Sequence, residues 1–89
     1  MVHIILDGEK MEHKEGVHAY LKSKLNLKEY YGSNLDALWD ALSNYNHPIK
    51  IDLIHHASML KYLGNYGTSL TKVFEDAAKE NPNIEFRIQ

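Results

Sequence analysis

The stretch Tyr30-Tyr31-Gly32-Ser33-Asn34-Leu35-Asp36-Ala37-Leu38-Trp39-Asp40-Ala41-Leu42 reads as a turn running into a helix. Ser33 is placed to cap the helix start, and Asp36 three residues later completes a capping-box-like pair near the positive end of the helix dipole. At about 100° per residue, Leu35, Leu38, Leu42 and Tyr45 fall on one side, the stripe of a core-facing helix. Asp36, Asp40 and Ser43 fall on another side, with Trp39 on the border between the two. Aspartates at i and i+4 repel, costing a lone helix roughly 0.2–0.5 kcal/mol. A cost of that kind invites a functional explanation. A solvated acidic face accounts for the pair equally well on spacing alone, because exposed helix charges are worth little in either direction.

Outward from this helix the chain alternates strands and helices. Upstream, Val17, Leu21 and Leu25 recur at four-residue spacing with Lys14, Lys22 and Lys24 among the polar positions, the pattern of an amphipathic helix. Gly16 weakens its first turn by up to about 1 kcal/mol relative to alanine. Before it, Val2 to Leu6 is a short, mainly β-branched run ended by Asp7-Gly8, a first strand and a turn. Downstream, Asn44, Asn46 and Pro48 mark a loop, and Ile49-Lys50-Ile51-Asp52-Leu53 alternates apolar and charged residues as a strand buried on one face does. His55 to Leu63 reads as a short helix ending at Gly64. Asn65 and Gly67 open another, whose apolar stripe Leu70, Phe74 and Ala77 stops at Asn81-Pro82. Ile84, Phe86 and Ile88 alternate with Asn83, Glu85 and Arg87 as a last strand. Strands separated by helices imply parallel pairing through right-handed crossovers. The charged alternates on the later two strands predict that helices cover only one face of the sheet, giving a two-layer α/β fold.

Eighty-nine residues make a single small domain, 1–89, which buries roughly 60–65% of the surface its unfolded chain exposes. The composition, 44% hydrophobic and 25% charged, is that of a globular protein. There are no cysteines. A small secreted domain usually leans on disulfides, so their absence favours a reducing, cytoplasmic setting and excludes thiol catalysis. The apolar run Met1 to Leu6 is too short for a signal-peptide core, and no stretch approaches membrane-spanning length. A net charge of −2 with no basic cluster argues against nucleic acid as a ligand. The informative charge is local: between Glu29 and Asp40 stand three acids and no base.

Catalytic and metal-binding constellations are absent from the pattern. His55 and His56 are adjacent, so neither helix nor strand geometry converges them on one ion. His3, inside an apolar strand, reads as a hydrogen-bonded, partly buried histidine. Asp36 and Asp40 could hold Mg²⁺ or act as an acid–base pair, but no third carboxylate is placed by sequence to complete such a site. No phosphate loop, nucleophile motif or cofactor fingerprint occurs, so no cofactor is expected. Tyr30, Tyr31 and Trp39 could stack on bases, yet the acids among them repel phosphate.

Tyr30-Tyr31-Gly32-x-Asn34-Leu35-Asp36-Ala37-Leu38-Trp39-Asp40-x-Leu42 resembles the signature of the barstar family, intracellular inhibitors of barnase-type ribonucleases. His18-x-x-Leu21-x-x-x-Leu25-x-Leu27, Pro48, and Val73-Phe74-x-Asp76-Ala77 with Glu80 sit at matching places, so the likeness spans nearly the whole chain, with one short length difference between Tyr45 and Pro48. It implies a three-stranded parallel sheet in the order 1-2-3 with helices on one side, no enzymatic activity, and a chain that is monomeric when free. It also implies a site. Asp40 would occupy the position of an RNA phosphate in a positively charged nuclease cleft, Asp36 would add a second acidic contact, and Tyr30 would pack an aromatic face against the nuclease. Asn34, Leu35, Trp39 and Asn44 would line the contact beside them, while His18 is structural. On the last helix Val73, Asp76 and Glu80 share one stripe by spacing, and the family carries an acidic contact at the position of Asp76. Three departures stand out: Asp76 where glutamate is usual, Asn44 where glycine is familiar, and Lys28 where proline is common. The resemblance further implies a cis bond between His47 and Pro48. On the residues alone other readings stay open. Trp39, Leu35 and Tyr30 could complete the core, the fold could serve a different basic protein partner, or the acids could belong to a metal-dependent enzyme.

Overall fold

A computed structural model describes residues 1–89. Strands β1 (Val2–Asp7), β2 (Ile49–Ile54) and β3 (Ile84–Ile88) form one parallel sheet, as the alternation of elements predicts, in the order β1-β2-β3 that the family resemblance implies. Helices α1 (Lys14–Leu25), α2 (Leu35–Ser43), α3 (His56–Leu63) and α4 (Asn65–Glu80) fill the connections, with a 3-10 turn at Gly8–Lys10. The register aligns Ile4, Ile51 and Phe86 in one row across the sheet and Ile49 with Ile84 in another. Over these rows the helices set Val17, Leu21, Leu25, Leu38, Leu42, Leu70, Phe74 and Ala77 in one buried cluster. Phe74 stacks on Phe86 at 5.2 Å between ring centroids, fastening α4 to β3. Each fully buried leucine contributes about 1.5–3 kcal/mol through apolar area removed from water. That burial fixes which side of α2 faces outward.

The opposite face of the sheet carries His3, Ile5, Lys50, Asp52, Glu85 and Arg87 and has no helix over it, as the charged alternates predict. Asp52 is nevertheless only 2% exposed. His3 Nε2 lies 2.5 Å from its Oδ2, and Arg87 Nε donates to its Oδ1 at 3.1 Å, so neighbouring side chains do the covering. An open sheet face does not by itself leave its central charge in water.

Three local expectations are corrected. Asn34, and not Ser33, caps α2: Ser33 sits in the left-handed region at φ 54, whereas Asn34 is extended and its Oδ1 accepts from the Ala37 N–H at 2.7 Å. This shift puts Asp36 at the second helical position, so no capping box closes, although its charge still lies in the favourable first turn. The Ser43 hydroxyl does not join the solvent face with Asp36 and Asp40; it is buried without a partner. The bond between His47 and Pro48 is trans. Reversal into β2 is spread over Asn44 to Pro48 and held by Asn81, whose side-chain amide donates to the carbonyls of Leu42 at 2.9 Å and Tyr45 at 2.8 Å. With the turn tied at these points, no cis bond is needed to bring Ile49 into the sheet.

Candidate functional site

Helix α2 presents Asp36 and Asp40 to solvent on the side opposite Leu38 and Leu42. Of five aspartates in the chain, Asp7, Asp52 and Asp76 each have a cationic or imidazole partner within ion-pairing distance, and Asp36 and Asp40 have none. Their places on the helix differ. Asp36 stands in the first turn, where the dipole favours an anion; Asp40 begins the last turn, which contains no base, where the dipole opposes one by about 0.3–1 kcal/mol. The fold therefore holds Asp40 where its charge works against the helix dipole. Tyr30 beside it is 82% exposed and stands outside the core, whereas Trp39, 37% exposed, is partly covered and keeps an open edge. Leu35 is half-buried and packs against the core cluster, so it divides its side chain between the interior and the surface.

Two hollows flank this helix. The larger, about 820 Å³, lies between the 26–32 loop, α2 and the 44–47 turn, and brings Tyr30, Asp40 and Asn44 together with Tyr45 and His47. The second collects Asn34, Leu35 and Asp36 with Lys14, His18 and Tyr66. Gly32 lets the loop press against the helix start, since a Cβ there would meet Ala37 Cβ at 3.1 Å. Trp39 lies in neither hollow, nor do Val73, Asp76 and Glu80 on α4, which packs against α2. Val73 is half-buried against the core, Glu80 is exposed and unpaired, and Asp76 faces Lys72 at 3.6 Å one turn away.

The sequence model described as Barstar (barnase inhibitor) matches residues 1–89. The chain belongs to the barstar family. It is also 38% identical over 86 residues, 96% of this chain and 93% of the other, to a Bacillus subtilis (strain 168) protein named "Putative ribonuclease inhibitor YrdF". The three-stranded parallel sheet with its helices is thus a barstar-like α/β fold.

Beneath the barstar-family signature lies a support that sequence spacing did not reveal. His18 of α1 is 2% exposed, with Nδ1 2.6 Å from the Tyr31 hydroxyl and Nε2 2.5 Å from that of Tyr66 on α4. One imidazole thereby ties two helices to the loop that carries Tyr30. Burial, and secondarily the charge of Lys14, pushes the His18 pKa down, so the ring is held neutral. A neutral ring has one N–H and one lone pair, so one tyrosine hydroxyl accepts and the other donates. Burial, with a lesser contribution from Tyr66, pushes the Tyr31 phenol up to about 12. Asn81 is the second hidden support. It reaches the carbonyls at the end of α2 from the far end of α4, and only its place just after an apolar helical stripe could have drawn attention to it.

The remaining polar clusters tie elements together. His55 Nδ1 lies 2.8 Å from Asp7 Oδ1 and 3.5 Å from Glu9 Oε1, joining the end of β1 to the start of α3. These three groups come within 4.8 Å of one another, so His55 gathers acids that sequence adjacency to His56 did not predict. His56 turns away to the Thr71 hydroxyl at 3.0 Å. No helix is long and apolar enough to cross a membrane.

Proposed function

We propose that this chain is a ribonuclease inhibitor that blocks the positively charged active-site cleft of a barnase-type ribonuclease with the acidic face of α2. The observation that carries the reading is the pair Asp36 and Asp40: exposed, four residues apart, without cationic partners, and set beside the exposed rings of Tyr30 and Trp39. A nuclease that binds phosphate needs cations in its cleft, and a carboxylate projected from a rigid helix satisfies them without offering a bond to cleave. Asp40 takes the phosphate position and Asp36 gives a second acidic contact. Tyr30 packs on the nuclease surface, with Asn34, Leu35, Trp39 and Asn44 lining the contact; Asn34 also caps the helix start. Val73, Asp76 and Glu80 on the neighbouring α4 extend the patch. The inhibitor works without metal or cofactor, as a monomer, in the cytoplasm, and does not itself hydrolyse RNA. Cleavage of RNA by a barnase-type ribonuclease, titrated with the purified protein, tests this. Inhibition complete near one equivalent and weakened by salt is the expected result. Full nuclease activity at a large excess of the protein contradicts it, and binding to a basic protein of another kind would then identify the partner class.

A further inference from the structure

Asn44 follows the last residue of α2, and its side-chain amide reaches back one turn. Nδ2 donates to the Asp40 carbonyl at 2.9 Å and to the Asp40 carboxylate Oδ1 at 3.3 Å. The backbone N–H of Asn44 also donates to the Asp40 carbonyl, at 3.1 Å. Asp40 is thus held at both its main chain and its side chain by one residue.

We propose that Asn44 is a positioning residue that sets the Asp40 carboxylate in one rotamer along the larger hollow before any partner arrives. This rests on the inhibitory role assigned to Asp40. Three observations combine. Asp40 has no cation near it, the last turn of α2 has no base, and the amide of Asn44 is the side-chain donor that meets its carboxylate. Both residues line the same hollow with Tyr30. An exposed aspartate on a helix ordinarily exchanges between rotamers, and freezing it on binding costs affinity; a donor that fixes it beforehand removes part of that cost. The hydrogen bond leaves the partner its choice of sites, because a carboxylate offers about four lone-pair positions and Asn44 uses one.

Two measurements separate this proposal from the inhibitory reading. In the free protein, NMR χ1 couplings of Asp40 should report one dominant rotamer in the wild type and averaged rotamers in Asn44→Ala. Unchanged couplings in the variant overturn the positioning role whether or not the protein inhibits a nuclease. Binding to a barnase-type ribonuclease is then measured for Asn44→Ala alone and in an Asp40→Ala background. A loss of about 3–10-fold in the presence of Asp40, absent without it, is expected from a residue that acts through Asp40. An equal loss in both backgrounds, the mark of a direct contact independent of Asp40, or no loss in either, the mark of a helix cap alone, overturns the proposal. If the wild type fails to bind the nuclease, the inhibitory reading falls while the couplings still decide the rotamer.

Discussion

Asp40 on α2 and Asp52 on the open face of the sheet are both aspartates outside the apolar core, and the fold treats them in opposite ways. Asp52 is buried, bonded to His3 and Arg87, and its carboxyl is held below the usual range, first by the His3 hydrogen bond and then by Arg87. Asp40 is exposed, has Asn44 as its side-chain partner, and lies at the end of a helix dipole that disfavours it. The charge of Asp52 holds three strands together, whereas that of Asp40 has no cation to meet and is free for the partner contact proposed for it. An acid that is neither compensated by a cation nor well placed for its own helix marks a binding surface better than acidity alone. Glu12 and Glu15 are unpaired too, but they lack flanking exposed aromatics.

Substitutions at the two positions should therefore separate binding from folding. Asp40→Ala should weaken nuclease binding by about 2–5 kcal/mol, because the cations it meets would be left desolvated and unpaired; measurements on barnase with barstar, the family's own complex, contribute to the evidence behind that range. Its melting temperature should match wild type, with stability within about 0.5 kcal/mol, since no core volume is lost and repulsion from Asp36 is relieved. Asp52→Asn should do the reverse, lowering the melting temperature while isothermal titration shows an unchanged dissociation constant. Were Asp52→Asn to weaken binding as much as Asp40→Ala, the contrast would collapse.

Smaller effects sharpen the same contrast. Asp76→Ala should cost only about 0.2–1 kcal/mol of affinity, because Lys72 already offsets its charge and the pair is largely exposed; titration beside Asp40→Ala checks the ranking. The His55–Asp7 contact gives a pH signature that α2 does not share. The Asp7 hydrogen bond pushes the His55 pKa above its ordinary 6.5, so its contribution is full below that pH and fades as pH rises through the raised value. Asp7 is pushed below 3.8, chiefly by His55, and its share is lost only as pH falls through the lowered value. The stability difference between wild type and His55→Asn, which tolerates the left-handed backbone at this position, should be largest between those limits and shrink at alkaline pH in denaturant melts. Ser43→Ala should be the mildest change: removing a buried hydroxyl without a partner should leave stability unchanged or raise it by up to about 1 kcal/mol.

Periodicity made the strands, the helices and the outward face of α2 legible. Leu38 with Leu42, and Leu70 with Phe74 and Ala77, announce their burial because a four-residue stripe has nowhere else to go. The acid excess from Glu29 to Asp40 likewise pointed to the surface that the fold leaves bare. Contacts between distant residues were not legible. Asn81 grips the Leu42 carbonyl 39 residues earlier, and His18 meets Tyr66 48 residues later, and neither pairing leaves a local pattern. The choice of cap was ambiguous because Ser33 and Asn34 are adjacent and both suited to the role; backbone geometry decides it. The burial of Asp52 was not legible either, because cover by side chains from two neighbouring strands has no period in one strand's sequence.

The most direct test of the account is NMR on the isotope-labelled protein, mapping amide shifts as an unlabelled barnase-type ribonuclease is added. Changes should concentrate on Tyr30 to Asn44 and on the Val73 to Glu80 stretch of α4, while His3, Asp52 and Arg87 stay fixed. Changes centred on the open face of the sheet, with α2 unmoved, would contradict it.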